Sequence, residues 1–298
     1  MISLIPNNKK KDECLLYVVG NGFDIAHHLP TSYECFHQWL LKSGPKNFVR
    51  DFEKLYPDVK NADGRWCNVE SALGNVTLEQ AVDFDLNYQE CPDVVRKENS
   101  SHDAYRCGEN LRNIIVNLPP LLKDWATTIS TKGVSPLYEL SKDAYFLSFN
   151  YTKTLENVYN IEESNVLHIH EAIGNSRRLV VGCGDAIFEE DDYDPEREDV
   201  DINLIRNLLS HNKKPVKAIL EEQKSKKWLG SLSEVTSVVV FGHSCSKVDK
   251  PYFEEISKNI TPNASWYFYV HESEENERYK RFAKSIKRDG QIIEIIKS

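Results

Sequence analysis

Five short runs of mostly apolar residues recur along the chain: Leu15–Val19, Tyr145–Phe149, Val166–Ile169, Val238–Phe241 and Trp266–Val270. Each gives way to a glycine or a polar residue. A strand with consecutive apolar residues has no face to offer water, so such runs read as central strands of a parallel sheet covered on both sides. Ile292–Ile296 adds a last, edge-like strand. Helical patterns alternate with the later runs, which favours right-handed strand–helix–strand units. The fold class expected is α/β, a Rossmann-like parallel sheet with an inserted helical lobe.

The spacing of the runs is uneven. From Glu34 to Trp125 no strand pattern appears, and three helical patterns do: Ser32–Leu41, Val69–Tyr88 and Tyr105–Ile129. Pro119 and Pro120 are expected to kink or split the last of these, because proline lacks the amide hydrogen and clashes with the preceding turn. This stretch reads as a helical insertion at about 34–130. A second insertion, at about 188–230, opens on the acidic run Glu189–Asp194, which reads as a solvated loop. Phe253–Ile260 and Glu274–Lys287 are shorter helices close to strands. Residues 1–13 are polar and expected to form a flexible N-terminus, and residues 14–298 a single α/β domain carrying both insertions.

At 298 residues the chain can bury roughly 70–75% of its unfolded surface, so it needs no disulfide or metal staple. A net charge of -9 argues against a general nucleic-acid binder. The densest basic cluster, Lys213, Lys214, Lys217, Lys224, Lys226 and Lys227, is interspersed with Glu221 and Glu222 and reads as a solvated helix face. The seven cysteines (Cys14, Cys35, Cys67, Cys91, Cys107, Cys183, Cys245) are odd in number and include no Cys-x-x-Cys. That spacing argues against a zinc ribbon and against a disulfide framework, and it fits reduced thiols in a cytoplasmic protein. The first residues lack the apolar core of a signal peptide, and no run of about 18 apolar residues suggests a membrane span.

The candidate chemistry lies where the runs end. Val18-Val19-Gly20-Asn21-Gly22-Phe23-Asp24 takes a buried strand into a Gly-x-Gly turn, a place where α/β sheets bind phosphate-bearing ligands. The glycines permit a sharp turn and close backbone approach, and a helix that follows can aim N–H groups at a phosphate. Asp24 could bond a ribose hydroxyl or cap a helix, and Thr31 or Ser32 is expected to cap the next helix. Asn150 stands just past the second run, with an amide that can both donate to and accept from a ribose or a water. His168 and His170 close the third run on one strand face, and His170, nearer the edge, is the better general base. Gly242-His243-Ser244, followed by Asp249, closes the fourth. Each feature is weak alone. Together they describe a crevice at the carboxyl ends of parallel strands.

Gly20-Asn21-Gly22-Phe23-Asp24, Leu29-Pro30-Thr31-Ser32-Tyr33, Trp66 with Glu70, Asn150-Tyr151-Thr152 with Leu155-Glu156, and Gly242-His243-Ser244 with Asp249 and Tyr252-Phe253 resemble the AbiH family of bacterial abortive-infection proteins. The resemblance implies phage defence. The order Gly-x-Gly, Asn-Tyr, His, Gly-x-Ser is also similar to sirtuin-like NAD-consuming domains, in which an Asn and a His serve NAD cleavage. That likeness implies catalytic roles for Asn150 and His170. It implies a phosphate loop at Gly20 and Gly22 and a later nucleotide-contacting turn at Gly242 and Ser244; Asn21, Asp24, His243 and Asp249, in or beside those two turns, are further candidates for nucleotide contact. Glu171 follows His170 where the sirtuin-like pattern carries glycine, and Asn21 and Phe23 are bulkier than that pattern's loop residues.

The expected function is a nucleotide-binding anti-phage effector that hydrolyses NAD, with no metal and no further cofactor required. A non-catalytic sensor of a nucleotide or phage product is the alternative. A nuclease fits poorly, because no carboxylate cluster with two-metal spacing stands out. A phage-derived trigger and a homo-oligomer are compatible with this reading, and a membrane partner is not expected.

Overall fold

A computed structural model describes residues 2–4, 13–89, 108–175, 177–184, 202–270, 276–288 and 290–294. The acidic run Glu189–Asp194, Cys91, Cys107, most of the N-terminal segment and the end of the last run lie outside the described residues. The chain divides into two compact units. The first comprises Met1–Thr31, Ala126–Leu179 and Pro215–Ser298, and the second Ser32–Trp125 with Val180–Lys214.

The described strands are β1 (Ile2–Ser3), β2 (Leu15–Val19), β3 (Tyr138–Glu139), β4 (Tyr145–Ser148), β5 (Val166–His168), β6 (Ser237–Phe241), β7 (Ser265–Val270) and β8 (Gly290–Glu294). β1 pairs with β3, and the other six form one sheet in the order β5-β4-β2-β6-β7-β8 with every neighbouring pair parallel. All six belong to the first unit. β2 and β6, in the middle, are buried at every position, as the apolar runs Leu15–Val19 and Val238–Phe241 require; Ser237, which opens β6, is buried with them. Leu15, Tyr17 and Val19 point to one side and join Phe23, Phe146, Tyr159 and Phe241 in a single cluster, with Tyr17 stacked on Phe146 at 5.1 Å. The chain runs outward from β2 through β4 to β5, then returns to β6 and runs outward the other way. The sheet therefore has its topological switch point between β2 and β6.

The described helices are α1 (Asn21–Ala26), α2 (Tyr33–Ser43), α3 (Phe48–Leu55), α4 (Val69–Asn75), α5 (Leu78–Gln89), α6 (Glu109–Thr127), α7 (Thr154–Tyr159), α8 (Ile202–Ser210), α9 (Val216–Glu221), α10 (Gln223–Gly230), α11 (Lys250–Asn259) and α12 (Asn276–Ser285). Ser32 caps α2, its side chain accepting from the Cys35 amide at 3.2 Å. The helices α2–α5, α8 and almost all of α6 make up the second unit.

Four expectations are corrected. The pattern over Val69–Tyr88 is two helices, because Val76 is extended and Thr77 and Gln80 form a reciprocal capping box at 3.0 and 3.1 Å. α6 is not split at Pro119 and Pro120; Leu111, Ile115, Leu118 and Leu122 form one buried stripe that runs through both prolines and holds the helix together. Residues 2–4 are not a loose end: β1 is paired and Leu4 is fully buried. Lys214 is not on a solvated face. Its side chain is 0% exposed and its ammonium lies 2.8 Å from Glu70.

Candidate functional site

The register of the central strands aligns their ends. Val19 is opposite both Ser148 and Phe241, and Ser148 is opposite His168. Gly20, Asn150, His170 and Gly242 therefore leave the sheet on one edge, as a parallel arrangement of the apolar runs predicts.

At the switch point the exits of β2 and β6 close on each other. The Gly20 amide donates to the Phe241 carbonyl at 3.1 Å, and the Gly22 amide to the Gly242 carbonyl at 2.8 Å. A Cβ on Gly22 would lie 2.7 Å from the Gly242 Cα, and one on Gly20 only 2.6 Å from the His243 Cα. Gly242 has φ +65, and a Cβ there would lie 2.3 Å from the Phe23 nitrogen. Backbone-to-backbone packing is reason enough for these glycines. Two of the amides expected to face a phosphate are bonded to protein carbonyls instead. The following helix, α1, begins at Asn21 with Gly20 as its N-cap, so Gly22 lies inside its first turn.

Asp24 sits within α1 and does not cap it. It is 1% exposed, and its Oδ2 accepts from the Thr152 hydroxyl at 2.5 Å; Thr152 in turn meets Thr154 at 2.9 Å. Burial pushes the Asp24 carboxyl above the usual range, opposed by the hydroxyls of Thr152 and Thr154 and by the Asn150 amide. Asp24 Oδ1 has no hydrogen-bond partner among the described residues, and neither has Oδ1 of Asn150. Asn150 is 6% exposed and clamped along its backbone: its amide donates to Ser148 Oγ at 3.2 Å, and its carbonyl accepts from His168 Nδ1 at 3.3 Å. His168 Nε2 lies 2.7 Å from Glu156 Oε1. His168 thus bridges the Glu156 carboxylate and the Asn150 backbone, and Glu156 and His168 together fix where Asn150 projects.

His170 is 4% exposed, beyond the end of β5, with its ring edge-on to Phe149 at 5.1 Å and 5.7 Å from the Tyr252 ring. Its Nε2 lies 3.8 Å from Asp249 Oδ1. The other oxygen, Oδ2, lies 3.5 Å from His243 Nε2 and 3.4 Å from Ser246 Oγ. The Cys245 amide donates to His243 Nδ1 at 2.9 Å, and the Tyr279 hydroxyl donates to the His243 carbonyl at 2.9 Å. His243 packs on Phe149 at 4.2 Å, with Tyr252 and Phe253 around them. His243 and Asp249 are thus buried behind Phe149, whereas Ser244 and Asn21 are exposed and the Asn21 amide bonds the Thr31 carbonyl at 2.9 Å. Glu171 adopts φ +64, the left-handed conformation that favours glycine, and its carboxylate accepts from Asn175 at 3.0 Å.

Reading the sequence did not single out Phe149, Thr152, Glu156 or Cys245 for these tasks. Thr152 and Glu156 sit in the same motif as Asn150, which was the available signal. Trp66 and Glu70 belong to the second unit. There the Trp66 indole donates to Glu53 at 2.9 Å, and Glu70 holds the buried Lys214. Among the described residues, no group of three or more His, Cys, Asp or Glu side chains could hold a metal ion, and no helix is long and apolar enough to cross a membrane.

A parallel six-stranded sheet with helices between its strands, and with buried polar side chains gathered at its carboxyl edge, defines a Rossmann-like α/β protein. Within that class, the family model of AbiH, bacteriophage abortive infection, matches residues 16–270, and the chain belongs to that family. Its role is accordingly in abortive infection by bacteriophage. No match was found among curated proteins or among solved structures.

Proposed function

We propose that this abortive-infection protein is an effector that binds a nucleotide at the carboxyl edge of its sheet and hydrolyses NAD there. The observation that carries the reading is the meeting of Asp24 and Asn150. Each is at least nine-tenths buried, and each keeps one side-chain oxygen without a hydrogen-bond partner among the described residues. Buried polar atoms without partners are costly, and they are tolerated where a ligand completes them. Vicinal ribose hydroxyls supply donors of the right kind.

His170 stands on the same edge, one strand over. In the proposed step a water oxygen forms a bond to the ribose C1′ and the bond from C1′ to the nicotinamide nitrogen breaks. Its electron pair neutralises the pyridinium, so nicotinamide leaves without needing a proton. His170 takes the proton of the attacking water, and Asn150 orients the ribose. In this reading Asn21 and Ser244, which are exposed, meet the outer part of the nucleotide.

The test is to incubate the purified protein with NAD and measure nicotinamide and ADP-ribose. Appearance of both is expected. Absence of both, in the pure protein and in phage-infected cells, would remove the enzymatic reading. The burial of both Asn150 and His170 favours a second reading, a sensor that opens on a phage-derived trigger and signals without turnover. Nucleotide binding measured without product would support it.

A further inference from the structure

We infer that Asp249 is a positioning residue that sets the protonation pattern of two imidazoles at once, presenting His170 to the site in a single tautomer. The inference rests on the reading of His170 as the acid–base group, but its test does not depend on turnover.

His243 is the fixed point of the cluster. Its Nδ1 accepts the Cys245 amide at 2.9 Å, so that nitrogen carries a lone pair and the ring's proton is on Nε2. That N–H faces Asp249 Oδ2 at 3.5 Å. Ser246 Oγ, at 3.4 Å, turns to the same oxygen. Oδ2 is therefore committed, and Oδ1 is the oxygen directed at His170 Nε2, 3.8 Å away. A carboxylate oxygen only accepts, so it selects the His170 tautomer with hydrogen on Nε2 and the lone pair on Nδ1. The 3.8 Å separation is longer than a hydrogen bond; contacts of this kind commonly tighten when substrate binds. The arrangement is held from several sides. Phe149 packs edge-on against both rings, Tyr252 against His170, and Tyr279 anchors the His243 backbone.

Asp249→Asn tests this sharply, because an amide keeps the shape but offers one acceptor and one donor. His243, locked by Cys245, still needs the acceptor. The NH2 group must then face His170 Nε2, which has to accept, and the His170 proton moves to Nδ1. In serine hydrolases an aspartate-to-asparagine change that preserves geometry and swaps the tautomer costs about 10⁴-fold in rate.

The experiment is long-range ¹H–¹⁵N correlation of the imidazoles in the full-length protein, with melting temperature measured alongside. In the wild type both His243 and His170 should carry hydrogen on Nε2. In Asp249→Asn, His243 should be unchanged and His170 should switch to hydrogen on Nδ1. A wild-type His170 protonated on Nδ1 would overturn the inference without any variant, so it stays falsifiable even if Asp249→Asn does not fold. An unswitched His170 in a folded Asp249→Asn protein would overturn it as well. If the wild type cleaves NAD, Asp249→Asn should lower turnover about 10⁴-fold while binding persists. If it cleaves none, the catalytic reading of His170 fails, and the tautomers still decide the role of Asp249.

Discussion

The ends of β2 and β6 and the ends of β4 and β5 share one edge of the sheet, yet they are filled in opposite ways. Between β2 and β6, backbone meets backbone: Gly20 and Gly22 lie against Gly242 and His243 with no room for a Cβ, and their amides are bonded to carbonyls of the neighbouring exit. Beyond β4 and β5, side chains project instead: Asn150 and His170 are buried among Asp24, Asp249, His243 and Phe149. The switch point is where an α/β sheet is expected to take a phosphate. Here it is the better packed half, and the buried polar atoms without partners lie beside it. A glycine at a strand exit can thus serve the protein's own chain as readily as a ligand. A buried carboxylate has fewer structural excuses.

If that division is right, changes on the two sides should separate activity from stability. The largest effect belongs to the polar side. His170→Ala should lower NAD turnover by about 10²–10⁴-fold, the usual value of a positioned acid–base group. Removing this buried ring also lowers the melting temperature, but the loss of turnover is far larger than that drop can account for in a still-folded protein. Turnover assays beside thermal melts check it, and full activity in His170→Ala would strip that residue of its role while leaving the fold intact.

On the packing side the order reverses. Gly22→Val and Gly242→Ala should each destabilise by about 1–3 kcal/mol or more, since the new carbons overlap backbone and Gly242 also has positive φ. The close backbone approach that a Gly-x-Gly turn permits is made here to the protein's own chain, with 2.7 Å between a Gly22 Cβ and the Gly242 Cα, so Gly22→Val acts on the fold. Denaturant midpoints close to wild type in both variants would show that the two exits are less tightly joined than their geometry indicates.

A smaller effect should come from Asp24→Asn, which keeps an acceptor for Thr152 and removes a buried charge. The Asp24 pKa is raised above 3.8 in the folded protein, so the native state binds this proton more readily than the unfolded chain does. Asp24 therefore contributes less to stability as pH rises above that value. Asp24→Asn should be more stable than wild type at pH 7 by on the order of 1 kcal/mol, with the gain fading as pH falls toward 3.8. Loss of nucleotide binding in the same variant would place Asp24 with the functional half.

The smallest effect concerns His27, at the end of α1. Its Nδ1 donates to the Phe23 carbonyl at 2.7 Å, and its Nε2 accepts from Tyr159 Oη at 2.6 Å, an oxygen that already accepts the Leu137 and Tyr138 amides at 3.2 Å each. The ring is neutral there, and burial holds its pKa below 6.5. The unfolded chain therefore takes up the proton first, and the stability His27 contributes is lost as pH falls below 6.5. His27→Gln should be less stable than wild type at pH 7.5 by a few tenths to about 1 kcal/mol. The gap should narrow by pH 5, and a gap that widens on acidification would contradict this account.

Much of the architecture was readable in advance, because the signal for a doubly covered strand is local. Leu15–Val19 is β2 residue for residue, and the other four runs agree with β4, β5, β6 and β7 to within a residue at each end. Parallel pairing then puts Gly20, Asn150, His170 and Gly242 on one edge without further information. The helices were harder. The break at Val76 was written in the Thr77–Gln80 spacing and hidden by a continuous apolar pattern, whereas the prolines of α6 suggested a break that its buried stripe overrides.

Which residues would gather at that edge was therefore settled by the order of types along the chain. What each would do to the others was not, since partners are chosen by which strand lies beside which. Thr152 reaches Asp24 across 128 residues, and His168 finds Glu156 12 residues back. Asp249 stands between two histidines whose positions depend on Phe149 and Tyr252. Hydrophobic periodicity is a property of neighbours in sequence, and it specifies strands and their ends. Hydrogen-bond partners, tautomers and the closeness of two backbones are properties of neighbours in space, and they exist once the sheet has brought those ends together.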